Sequence, residues 1–158
     1  MADIACPYTI VTPARTINFN DGATDQFYIQ GITGLGSAPV RAPIDDVPYG
    51  DGGIGHNFWK GGRHIVIEGL FLVTSVDCGP EQVGIWNDME DSLRIALESI
   101  AATTTDTGTL VWLPQGQILY RVLGVRHDQP LECPPDQNFT VRNFSFGLFA
   151  ENPDWSTI

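Results

Sequence analysis

The chain has 158 residues, of which 42% are hydrophobic and 17% charged, and its formal net charge is −11. That length supports one domain with an ordinary core that needs neither metal nor disulfide to hold it. The acidic balance argues against tight binding to a nucleic-acid backbone, which needs clustered Lys and Arg. The low charged fraction, against about 25% in an average soluble domain, fits a surface that partners cover. Cys6, Cys78 and Cys133 are widely spaced and form no C-x-x-C pair, so neither a disulfide framework nor a zinc site is expected. The start MADIACPYTI has no basic region ahead of an apolar run, and no apolar segment approaches a membrane span, so neither a signal peptide nor membrane insertion is expected.

In chain order, Tyr8 to Phe19 reads as a first strand region interrupted by Pro13. Asn20-Asp21-Gly22 is a turn signal of the hairpin kind. Phe27 to Thr33 is a second strand, ended by Gly34-Leu35-Gly36. The segment from Arg41 to Gly62, RAPIDDVPYGDGGIGHNFWKGG, has no sustained helical or strand periodicity and is punctuated throughout by Pro and Gly. Loops this long are uncommon in compact domains and are usually functional or disordered. This one carries Ile44, Val47, Tyr49, Ile54, Phe58 and Trp59, which a flexible linker does not need. It reads as an arm that packs on a neighbouring subunit through those six residues.

Arg63 to Val73 is the clearest strand, with Ile65, Ile67, Phe71 and Val73 on one face. Cys78-Gly79-Pro80 breaks it. A helix follows, best patterned from Ile85 to Ala101, where Trp86, Met89, Leu93, Ala96, Leu97 and Ile100 make an apolar stripe. Gly108–Leu113 and Gln117–His127 read as a hairpin around Pro114-Gln115-Gly116. Asp128–Gln137 reads as a loop rich in proline, and Phe139–Ala150 as the last strand. Strands, one helix, then strands predict a mainly β fold: two antiparallel sheets packed as a β-sandwich, one amphipathic helix covering an open face or edge, and a long projecting arm.

No catalytic constellation is assembled by local sequence. His56, His64 and His127 show no H-E-x-x-H or H-x-H spacing. No G-x-S-x-G is present. The glycines of Gly31–Gly36 have the wrong spacing for a dinucleotide and no helix after them. Asp51-Gly52-Gly53 offers too few oxygens for calcium. Trp59 beside Lys60 can stack on a sugar or base, or anchor a subunit contact. The residues point to a structural or interaction protein, without cofactor, metal or enzymatic activity.

The words GITGLGSAPVR, GDGGIGHNFWKGGRHIVIEGLFL and FAENPDWST, with the helix WNDMEDSLRIALESI and the hairpin GTLVWLPQGQILYRVLGV in order between the last two, resemble the distal tail proteins of long-tailed, non-contractile phages. The resemblance covers most of the chain. It implies a β-sandwich with a helix and a belt arm, six copies of which close into a hexameric ring at the distal end of the tail tube. The ring is a baseplate hub: one side meets the tail-tube protein, the other the tail-tip proteins, and DNA passes through its lumen during genome ejection. Carried over, residues 41–62 are the belt arm, Arg63–Gly69 the returning strand, and Asn152-Pro153-Asp154-Trp155 the end of a single ring-forming domain, 1–158. Many members continue into a second, carbohydrate-binding-like domain, which is not expected here. The implied location is the virion, after synthesis in the host cytoplasm. Two other readings fit the same residues: a tail-tube or tail-completion protein, and a small carbohydrate-binding β-sandwich using Trp59, Tyr49, Trp112 or Trp155 as platforms.

Overall fold

The computed structural model describes residues 8–37, 40–41, 44–46, 53–55, 59–77, 79–101, 103–114, 117–134 and 142–158. Two short strands, β1 (Tyr8–Val11) and β2 (Thr16–Phe19), form an antiparallel hairpin. Pro13 is the reason the first strand region splits. It stands in the turn that Thr12 closes, with the Thr12 N–H and hydroxyl both donating to the Arg15 carbonyl (2.9 and 2.7 Å). β3 (Asp25–Thr33) then runs parallel to β2, so Asn20-Asp21-Gly22 is a turn but not a hairpin turn. Asn20 and Gly22 take positive φ (53° and 75°), and the Asn20 carboxamide oxygen accepts the Ile29 N–H at 2.7 Å. The chain thereby loops out and re-enters beside β2 in the same direction.

β8 (Arg63–Val73), numbered after the arm strands described below, lies between β3 and β11 (Arg142–Ala150), antiparallel to both. Alternate residues Arg63, Ile65, Ile67, Gly69, Phe71 and Val73 point inward and are buried. Gly69 is required by a close approach. A Cβ there would stand 2.2 Å from the Tyr28 carbonyl oxygen and 2.7 Å from the Phe144 ring, which covers the gap. Around it Phe19, Phe27, Phe71, Phe144 and Phe146 form one aromatic cluster with centroids 5.2–6.4 Å apart.

The sheet does not divide into two layers. β9 (Gly108–Trp112) pairs with β1 and with the first half of β10 (Arg121–Glu132), and the second half of β10 crosses to β11. Seven strands, in the order β10-β11-β8-β3-β2-β1-β9, therefore close on themselves in a barrel-like sheet, and the expected sandwich of two sheets is corrected to this closed one. The physical cause is the length of β10. The stretch Asp128–Glu132, the first half of the expected proline-rich loop Asp128–Gln137, stays in the ladder through two register shifts, and these bulges accommodate Pro130, which has no N–H to donate.

Among the described residues there is one helix, α1 (Pro80–Glu98), which begins five residues before the expected Ile85. Pro80 is at the first turn, where its missing N–H costs nothing, and Gly79 precedes it at φ 150°. The helix lies where β8 ends, β11 begins and the β1–β2 turn projects. The Trp86 indole donates to the Phe71 carbonyl (3.2 Å), Arg142 bonds Glu90 and Asn87 (3.1 and 2.7 Å), and Arg15 reaches Ser92 (2.7 Å). Its buried face, Trp86, Leu93, Ala96 and Leu97, joins the barrel core. No helix is long and apolar enough to cross a membrane among the described residues.

His127 sits in β10 against the helix end, its N–H bonded to the Ile100 carbonyl, and its buried Nε2 makes no hydrogen bond to any described residue. Burial pulls its pKa below the ordinary value of 6.5, outweighing the backbone at Gln129 and the charges of Asp128 and Glu98. The unfolded chain therefore binds more protons, and stability at this position is lost as pH falls through about 6.5. Urea midpoints measured from pH ~7.5 to ~5.5 should fall in the wild type and fall less in His127→Leu.

Candidate functional site: the arm and its root

The arm is a hairpin outside the barrel sheet. β4 (Val40–Arg41) pairs antiparallel with β7 (Trp59–Lys60), and β5 (Ile44–Asp46) with β6 (Gly53–Gly55). Each makes a separate two-stranded sheet. The expectation of no sustained strand periodicity is met by strands of only two or three residues, too short to show one. Of the six residues proposed for subunit contact, Ile44 pairs in register with Gly55, Ile54 with Asp45, and Trp59 with Arg41. Val47, Tyr49 and Phe58 lie outside the described residues, as do His56 and the Asp51-Gly52 pair.

Both limbs leave the barrel where β3 ends and β8 begins. Arg63, the first inward residue of β8, is only 4% exposed. Its Nε and Nη2 donate to the Pro153 carbonyl at 3.1 and 2.9 Å, and its Nη1 donates to the carbonyls of Gly34, at 2.8 Å, and Gly36. The guanidinium also faces the Trp155 ring at 5.6 Å. Burial pulls the Arg63 pKa below its ordinary value, and the charge of Asp154 opposes this. Arginine suits the position because its planar fork satisfies several carbonyls at once.

The tail is shaped to meet it. Asn152 accepts the Asp154 N–H on its side-chain oxygen (3.1 Å), turning the chain at Pro153. Beyond it Trp155 packs on Trp112 with centroids 5.4 Å apart, Arg121 covers the Trp112 ring at 5.6 Å, and β12 (Ser156–Thr157) pairs with Arg121 and Val122 of β10. The tail thus belongs to the root.

Glycines seat the limbs. A Cβ on Gly34, whose φ is +89°, would stand 2.0 Å from the His64 carbonyl oxygen. A Cβ on Gly62 would stand 2.3 Å from the Phe149 ring, which also packs on His64 (4.8 Å). His64 is paired through Nδ1 with Asp128 at 2.9 Å on the exposed side of the root.

Chemistry of other kinds is sparse. Among the described residues no three His, Cys, Asp or Glu side chains are grouped to hold a metal. Cys133 is half-buried, and burial, with Glu90 nearby, pushes its pKa up to about 12, so it is a thiol at neutral pH. Arg63 was the residue that sequence reading underused. It falls in phase with Ile65 and Ile67 on the inward face, and an inward arginine must find a polar partner.

No family model and no curated protein matches the chain. Among solved structures it is similar to the SPP1 Dit protein, described as a paradigm of the hub adsorption apparatus in phages that infect Gram-positive bacteria. The TM-score is 0.59 at 12% identity, over 92% of this chain and 50% of that one. This chain therefore spans about half the length of the protein it matches, and the likeness is one of fold.

The root predicts a contrast between two neighbouring glycines. Gly34→Ala combines a positive φ with a backbone clash and should lower the unfolding free energy by about 2 kcal/mol or more. Gly36→Ala has open space within 4 Å and should be near neutral. Urea unfolding of the two variants checks this.

Proposed function

We propose that this chain is a structural protein of a phage tail tip, forming a ring at the distal end of the tail tube and joining the tube to tip proteins. The observation that carries the proposal is the fold likeness to the SPP1 Dit protein across nearly the whole chain, at TM-score 0.59. The hairpin arm supports it. A ring with cyclic symmetry uses heterologous contacts, one patch of each copy meeting a different patch of the next. Limbs of about ten residues reach at most roughly 33 Å in extended form, enough to lap a neighbouring domain of this size. The low charged fraction leaves much surface suited to such contacts.

In this reading the ring is hexameric, the domain supplies the belt and the hub, and DNA passes through the lumen. The role is mechanical, with no catalysis and no cofactor, and the place of action is the virion. The carbohydrate-binding reading is less well supported, because Trp112 and Trp155 pack on each other and their rings carry Arg121 and Arg63.

Deleting Asp45–Lys60 with a short glycine–serine bridge should leave a folded monomer, with wild-type circular dichroism and cooperative unfolding. Light scattering that still finds the wild-type assembly in the deletion variant removes the arm from the contact.

A further inference from the structure

The three carbonyls that Arg63 holds share a property: none lies in a barrel strand. Gly34 and Gly36 follow β3 on the outgoing limb of the arm, Arg63 itself ends the returning limb, and Pro153 lies between β11 and β12. We infer that the C-terminal segment 152–157 is a bolt for the arm, so that its docking on Arg63 and Trp112 fixes the arm root and its release frees it.

The coupling follows from hydrogen-bond accounting. With the tail docked, Nε and Nη2 of Arg63 are satisfied by Pro153 and Nη1 by the two glycines. Remove the tail and two donors of a buried cation lose their acceptor, which is costly in a site closed to water. The long side chain relieves this by turning out to solvent. It then withdraws Nη1 from Gly34 and Gly36, and the outgoing limb loses its tether. Gly62 and Gly34 remain seated by packing, so the barrel itself need not open. Coupling of this kind is reciprocal: loosening the root must also loosen the tail. Trp155 makes the docking specific, since it touches both Arg63 and Trp112. A partner or a following segment that draws β12 off β10 thereby gains control of the arm. The inference stands whether or not the chain forms a ring.

Amide exchange by NMR on the full chain tests it in two variants. In Arg63→Met and in Trp155→Ala, exchange at Thr33–Leu35 and at Ser156–Ile158 should both speed up at least tenfold, while Thr9–Val11 and Leu110–Val111 keep wild-type rates. Loosening of one region without the other, or of neither, overturns the inference. Where Trp155→Ala loosens the barrel as well, Trp155→Phe replaces it, and equal loss at all four segments in that milder variant overturns the inference too.

Discussion

A buried guanidinium is the constraint on which the root of the arm depends. Arg63 continues the inward row of β8, where its neighbours are Ile65 and Ile67, and it brings a charge into a place built for apolar side chains. Such a charge is tolerated only when its donors are met. The chain meets them with backbone carbonyls drawn from the segment that follows β11 and from the start of the arm. One residue therefore ties together segments that are distant in sequence, Gly34 to Gly36, Arg63, and Pro153 to Trp155.

The rest of the fold supports that junction. Closing the sheet through the long β10 removes most open strand edges, which are the usual sites of unwanted pairing. The helix lies across the end where β8 finishes, and the arm leaves from the end where β8 begins. Among the described residues, unpaired strand edges remain on the two small arm ladders and on β12.

Strong periodicity made much of this legible in the sequence. β8 was readable to its end residues because both its faces keep a period of two, and α1 because Trp86, Leu93, Ala96 and Leu97 keep the helical spacing. The helix start was misplaced because Pro80 and Gly84 hide its first turn from a pattern based on apolar residues. The closed sheet was not legible because it turns on Pro130 lying in a bulged strand, where proline ordinarily signals a loop. The direction of β3 was obscured because Asn20-Asp21-Gly22 has hairpin composition but serves a parallel return. The root was half legible: glycines, Arg63 and Asn152–Trp155 were each visible, but which carbonyls an arginine reaches is a property of the folded chain alone.

The proposed role requires this domain to close with copies of itself into a ring. The most direct measurement is the mass of the purified wild-type protein by light scattering on a sizing column, with negative-stain images of the same peak. A closed ring of about six copies, alone or after mixing with the tail-tube protein, is the expected result. Open filaments, or a monomer that remains one in the presence of the tube protein, would contradict it.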